Sequence, residues 1–228
     1  MSYLKKLAYA CLYLFLFIFV GSFSWVLSYK FVNPPKTYLM QLRQKQAKNK
    51  NKTLVIKQEW TLEEKISSHI KEAIVHSEDT FFYDHHGVVW DKLLLAYKIH
   101  KNRKNGDKVF GFSSITQQTA KNIFLYPDRT PLRKVLEVYF ALLMEAVWGK
   151  ERILEVYLNT IELGDGIFGV EAAARHYYKK TCNDLSIQES YWLASIMPSP
   201  IKLSRNRQIM HPLLKMRADY LTSCSSKQ

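Results

Sequence analysis

The sequence predicts a mainly helical protein, with one membrane-spanning helix at its N-terminus followed by a single helical domain. Three observations carry this. Residues 7–27 form an apolar run, and no charge occurs between Lys6 and Lys30. Further along, apolar residues recur at helical spacing, as Ile66, Ile70, Ala73 and Ile74 do. No strand-like alternation of any length interrupts them. At 228 residues the chain has enough for one sizeable core behind the anchor and too little for two large domains.

The boundaries read as a tail (1–6), an anchor (7–29), a basic juxtamembrane linker (30–58), the helical domain (59–205) and a C-terminal helix and tail (206–228). About twenty apolar residues at helical rise span a bilayer core, whereas the apolar part of a cleaved signal peptide is usually about 7–15 residues. Trp25, Tyr29 and Phe31 stand near the outer end, where interfacial anchors belong.

The formal net charge is +13, and no Asp or Glu precedes Glu59. Nucleic-acid binding is one reading of such a balance. Behind an anchor the better one is a polybasic segment attracted to anionic lipid headgroups and diphosphates, so membrane lipids are expected as partners and nucleic acid is not. For residues 44–52 a solvated linker is an equally good reading. Counted literally, Lys5 and Lys6 before the anchor against Lys30, Lys36, Arg43, Lys45 and Lys48 after it would put the domain in the cytoplasm. Long domains cross membranes largely regardless of charge, which limits that count. Cys182 and Cys224 could pair in an oxidising compartment, though nothing requires it, and the three cysteines lack zinc-site spacing.

Asn33-Pro34-Pro35 ends the anchor helix. Thr61 then reads as an N-cap, with Glu63 and Glu64 in the first turn of a helix that delivers Glu78 at its C-terminal end. A further helix is expected over 89–99. The basic, glycine-containing stretch 101–111 reads as a mobile loop gating a cleft. Thr130 or Asp128 caps the next helix with Pro131 at its first position. Residues 132–148 are apolar almost all round, which predicts a buried core helix and makes Arg133, Lys134, Glu137 and Glu145 costly unless paired. Arg133 and Glu137 are four apart and Lys134 and Glu137 three apart, so they share a face, either as a structural ion pair or as a charged patch facing a cleft. Gly149 closes that helix and another follows over 151–160.

The most telling stretch runs from Ser77 to Gly87, where Glu78 and Asp79 precede Phe81, Phe82 and Tyr83. Aromatic neighbours would desolvate a carboxylate and raise its pKa, the tuning that general acid–base chemistry uses. By position alone the better reading is a helix end running into a turn at Gly87. The pattern Glu78-Asp79-x-x-Phe82-x-x-His85-x-Gly87 is followed by Gly111-x-Ser113-Ser114-Ile115-Thr116-Gln117-Gln118-x-x-Lys121-Asn122. Then come Arg133-Lys134-x-x-Glu137, Lys150-x-x-Ile153-Leu154-Glu155-x-Tyr157-Leu158-Asn159 and Gly169-Val170-Glu171-Ala172-Ala173-Ala174. Five motifs in this order, over roughly residues 70–200, resemble the peptidoglycan glycosyltransferase family, which includes the polymerising domain of bifunctional penicillin-binding proteins.

The resemblance implies a lysozyme-like fold and polymerisation of lipid-linked disaccharide-pentapeptide (lipid II) into peptidoglycan for cell-wall synthesis. The 4-hydroxyl of lipid II would attack the anomeric carbon of the growing lipid-linked glycan, inverting it to a β-1,4 bond and releasing polyprenyl diphosphate. Such a step needs a base for the hydroxyl and positive charge for the leaving group. Glu78 matches the base and Glu137 the second catalytic carboxylate. Lys121, Arg129, Arg133 and Lys134 match the cations. Ser113, Gln117, Gln118 and Asn122 would add hydrogen bonds to substrate. A divalent cation, Mg²⁺ or Mn²⁺, is expected to bridge the diphosphate, with no organic cofactor and no all-protein metal site. The implied location is the bacterial inner membrane, single-pass, with the domain on the periplasmic side, alongside other cell-wall synthesis proteins.

Residue by residue, Asp79 is expected to be a hydrogen-bonding neighbour, His85 to make a structural hydrogen bond, Thr116 to cap a helix, and Tyr157 and Asn159 to pack. Ser114 stands where the family usually has threonine, and Phe112 where a small residue is common. Ser199-Pro200-Ile201-Lys202 matches a transpeptidase S-x-x-K by chance, since neither companion motif follows. Two other readings compete: a lysozyme-like hydrolase or lytic enzyme using two carboxylates, and a catalytically silent anchored protein. The cationic motifs separate the first, because a glycosidase has no diphosphate to neutralise.

Overall fold

The computed structural model describes residues 3–101, 113–128, 130–205 and 210–225. Eleven helices dominate it: α1 (Tyr3–Phe31), α2 (Tyr38–Lys48), α3 (Ser68–Glu78), α4 (Trp90–Lys101), α5 (Ile115–Phe124), α6 (Pro131–Val147), α7 (Lys150–Thr160), α8 (Val170–Tyr178), α9 (Ile187–Ile196), α10 (Pro200–Leu203) and α11 (Pro212–Ser225). The sequence shows no alternation, yet a small sheet is present: β1 (Lys57–Gln58) pairs parallel with β3 (Ile167–Phe168), which pairs antiparallel with β2 (Glu162–Gly164). Strands of two or three residues are too short to leave a period in a sequence.

The core forms around α7, in which residues 153–160 are all buried. It packs on α5, while α3 packs on α9 and α9 on α11 through Leu214 and Ala218. Buried polar groups on α7 are fully used. Asn159 receives the Thr61 amide at 2.8 Å and donates to the Thr61 carbonyl at 2.8 Å, and Glu155 accepts from Trp60 Nε1 and Glu63 N. Gly169, at φ +81°, lets α8 start against α7, since a Cβ there would lie 2.8 Å from the Asn159 carbonyl oxygen.

Three expectations about elements need correcting. The cap of the helix leading to Glu78 is Ser67, which accepts from His69 N, and Glu63–Lys65 is a separate 3₁₀ turn. Residues 30–58, expected as a linker, contain α2, seated by fully buried Met40 and by Arg43 held by both oxygens of Glu162. The helix over 132–148 is not buried all round, because Leu132, Val135 and Leu142 are exposed. Of the two candidate caps, Thr130 and Asp128, the structure uses Thr130, with Pro131 at the first position. The loop at 101–111 lies, beyond Lys101, outside the described residues.

The segment Lys5–Phe31 is long and apolar enough to cross a membrane, and almost none of it is buried by the protein. Its C-terminal end, however, docks on α6 and α7. Trp25 meets Phe124 and Phe140 edge-on at 5.1 and 6.1 Å, and Phe124 stacks on Phe140 at 4.7 Å. Each such pair contributes about 0.5–1.5 kcal/mol beyond the area it buries. Trp148 Nε1 donates to Val26 O at 2.8 Å, Ser22 and Tyr139 hydroxyls meet at 2.7 Å, and Arg152 donates to Tyr29 O and Val32 O. The helix that carries Arg133 and Lys134 is thus braced directly by α1.

Candidate active site

Glu78 ends α3, and Asp79 is the residue that caps it. Asp79 is buried and takes Ile115 N at 3.0 Å and His85 Nε2 at 2.8 Å. Since Gly87 N donates to His85 Nδ1 at 3.0 Å, the ring proton sits on Nε2 and is donated to Asp79. Asp79 and His85 therefore tie α3, the Gly87 turn and the start of α5 together, the structural roles read from the motif. Gly87 needs its freedom: φ is +82°, and a Cβ would come within 2.7 Å of Glu145 Cγ. Glu145 is itself held by Thr116 and Lys150, and the Lys150 ammonium lies over the Phe82 ring.

The aromatic surroundings expected around Glu78 are not shared evenly. Phe82 is fully buried, whereas Phe81 and Tyr83 are exposed. Glu78 instead faces α5, where Gln118 Nε2 donates to its Oε2 at 2.9 Å. Burial raises the Glu78 pKa above the usual carboxylate range; the Gln118 bond and the Lys121 charge oppose that, and Asp79 adds to it.

Ser114 is the N-cap of α5 and closes a capping box with Gln117. That corrects the expectation that Thr116 caps, since its hydroxyl donates to Glu145 instead. It also moves Gln117 away from the substrate role: the side chain is buried and its Oε1 accepts from Ser114 N. Gln118 and Lys121, three positions apart, project together. Asn122 is half-buried, and its side chain has no hydrogen-bond partner among the described residues. The Lys121 ammonium also has none there, and burial lowers its pKa; Glu137 and Glu78 act to raise it, Arg133 and Lys134 to lower it.

Glu137 is buried on α6. Arg133 donates to its Oε2 and Lys134 to its Oε1, while the Ser113 hydroxyl reaches Oε1 at 3.3 Å and receives Lys134 Nζ at 2.9 Å. The trio is an ion-paired group, in which Lys134, the most exposed member, keeps 30% of its side chain open. Arg129 lies outside the described residues. The structure thus brings Glu78, Gln118, Lys121, Ser113, Arg133, Lys134 and Glu137 into one connected site, and leaves Gln117 in the scaffold. The sequence reading missed that Tyr157, expected only to pack, donates from its hydroxyl to Gln118 Oε1 at 3.1 Å. Its place in the same motif as buried Glu155 and Asn159 was the available signal.

Glu137 does not offer a metal ion a seat. Each of its oxygens already faces a cation, and the described residues contain no group of three His, Cys, Asp or Glu suited to holding one.

The site brings a desolvated carboxylate together with a group of cations, on a helical domain that follows a long apolar helix. A model of the transglycosylase family matches residues 40–223, and the chain belongs to that family. It is 42% identical over 205 residues to a biosynthetic peptidoglycan transglycosylase of Dechloromonas aromatica (strain RCB), covering 90% of this chain and 88% of that protein. A protein of the same name from Bdellovibrio bacteriovorus (strain ATCC 15356 / DSM 50701 / NCIMB 9529 / HD100) is 41% identical over 192 residues, 84% of this chain and 76% of that one. Another from Rhodospirillum centenum (strain ATCC 51521 / SW) is 46% identical over 180 residues, covering 79% and 74%.

Proposed function

We infer that the protein polymerises peptidoglycan glycan strands from lipid II. The 4-hydroxyl of lipid II attacks the anomeric carbon of the growing lipid-linked glycan. Glu78 takes the hydroxyl proton as the new O4–C1 bond forms. The electron pair of the breaking C1–O bond leaves on polyprenyl diphosphate, with inversion to the β-1,4 linkage. Lys121, Arg133 and Lys134 receive the diphosphate charge, Glu137 holds the latter two in place, and Ser113, Gln118 and Asn122 supply hydrogen bonds. Burial raises the Glu78 pKa, which makes its ionised form a stronger base. A Mg²⁺ or Mn²⁺ ion bound to the diphosphate would add positive charge beside Lys121, Arg133 and Lys134. The reading puts the domain on the periplasmic side of the bacterial inner membrane, where α1 confines it with its substrate.

The observation that carries this reading is the state of Glu137. A lytic enzyme would need that carboxylate as its nucleophile or base, but Arg133 and Lys134 occupy both oxygens. A silent protein has no use for a desolvated Glu78 aimed at cations. The test gives the full-length protein labelled lipid II and, separately, finished glycan. Polymer from the first supports the reading, and fragments from the second alone overturn it.

A further inference from the structure

We propose that the outer face of α2 is a docking surface for anionic phospholipid headgroups, binding the domain to the membrane at a second point beside α1. This rests on α1 spanning the membrane and is independent of the reaction assigned to the site.

The inner face of α2 is committed to the domain. Met40 is fully buried, and Arg43 donates to both Glu162 oxygens at 2.7 Å. The rotation of the helix about its axis is therefore set, and Tyr38, Gln41, Lys45 and Lys48 form one exposed stripe at helical spacing. At the C-terminal end Asn51 turns left-handed, at φ +53°, and Lys52 N returns to Ala47 O at 3.0 Å. That turn keeps exposed Lys50 and Lys52 against the end of the stripe, and Lys36 lies just before its start.

None of these five lysines has an acidic partner among the described residues. A helix face built simply to be solvated usually interleaves acids at i±4, and no acid occurs before Glu59. Position supplies the second argument. Only six residues separate α1 from α2, so about 20–25 Å of chain at most lies between them. That exit is pinned as well, since Arg152 donates to Tyr29 O, Val32 O and Asn33 Oδ1. The stripe is thus held near the membrane surface, where its lysines are attracted to an anionic leaflet. Tyr38, half exposed at the start of the stripe, suits the headgroup level.

The experiment uses the full chain in nanodiscs containing photoreactive phosphatidylglycerol or photoreactive phosphatidylcholine, followed by peptide mapping. Peptides covering 36–52 should cross-link to phosphatidylglycerol at least fivefold more than to phosphatidylcholine, and the excess should disappear in 0.5 M salt. It should also disappear when Lys36, Lys45, Lys48, Lys50 and Lys52 are all replaced by Gln, a variant expected to melt like wild type because all five are exposed. Equal labelling by the two lipids overturns the proposal, as does an excess that survives the replacement. A third arm adds polyprenyl diphosphate to phosphatidylcholine discs; capture of that compound by 36–52 in place of phosphatidylglycerol would assign the patch to substrate and overturn it too.

Discussion

The Tyr157 hydroxyl donates to Gln118 Oε1 at 3.1 Å, and this orients an amide 39 positions away in sequence. With its oxygen engaged, Gln118 presents its NH₂ to Glu78 at 2.9 Å. Tyr157 is fully buried, and burial holds its phenol pKa well above the ordinary value, with Glu78 and Asp79 adding to the effect, so it stays a donor throughout the working range.

Removing the Gln118 bond should move the pH profile in a fixed direction. That bond lowers a Glu78 pKa that burial has raised, so losing it lets the pKa rise further. A base must be ionised to act, and the acidic limb of the polymerisation rate should therefore shift to higher pH in Gln118→Leu. Tyr157→Phe should shift it the same way by less and slow the reaction about five- to tenfold, the value of one ordinary hydrogen bond. Initial rates between pH 5 and 9 give the answer, and an unmoved limb in both variants removes Gln118 from this role.

Glu78→Gln should trade activity for stability. Loss of a general base costs about 10²–10⁴ in rate. The Glu78 pKa is higher folded than unfolded, so its contribution to stability is present below the unfolded value and lost as pH rises through the folded one. At neutral pH the ionised group therefore burdens the fold, and glutamine relieves it. The variant should melt at or above the wild-type temperature at pH 7.5, and the gap should shrink by pH 4.5. A variant that polymerises at the wild-type rate would take the base role from Glu78.

Glu137→Gln should be costly in both respects. It leaves Arg133 and Lys134 without their shared partner on a residue only 2% exposed, and breaking such a pair costs about 3 kcal/mol. Adding Arg133→Gln should recover part of the stability in chemical denaturation without restoring polymerisation. Strictly additive stability losses in the double variant would show that the two side chains are not coupled.

Arg152→Lys should loosen the anchor. One guanidinium spans Tyr29 O, Val32 O, Asn33 Oδ1 and Glu155, and a single ammonium cannot cover that set. A loss of about 1–2 kcal/mol corresponds to roughly 2–8 °C in melting temperature for a chain of this size. Faster protease cleavage between α1 and α2 in detergent should accompany it. Melting and cleavage both at wild-type values would mean that the anchor is only a tether.

Sequence by itself determined what depends on residue type at short range. The long apolar helix α1 showed in an unbroken apolar run, the α6 start in Pro131 and in Thr130 as one of two candidate caps, and Glu78 and Glu137 in ordered motifs. Arg133, Lys134 and Glu137 could be paired from spacing alone, because three and four residues bring side chains together on any helix. Tertiary structure decided what depends on which distant surfaces meet. Position could not show that the Thr116 hydroxyl turns to Glu145 or that Tyr157 orients Gln118, since each is settled by a neighbour from another element; the Ser114–Gln117 capping box is local and stood in the sequence as S-x-x-Q. The same holds for Glu78: its aromatic neighbours in sequence suggested desolvation, but its burial and its partners come from packing against α5, because a carboxylate's pKa responds to the space around it and not to the chain order that brings it there.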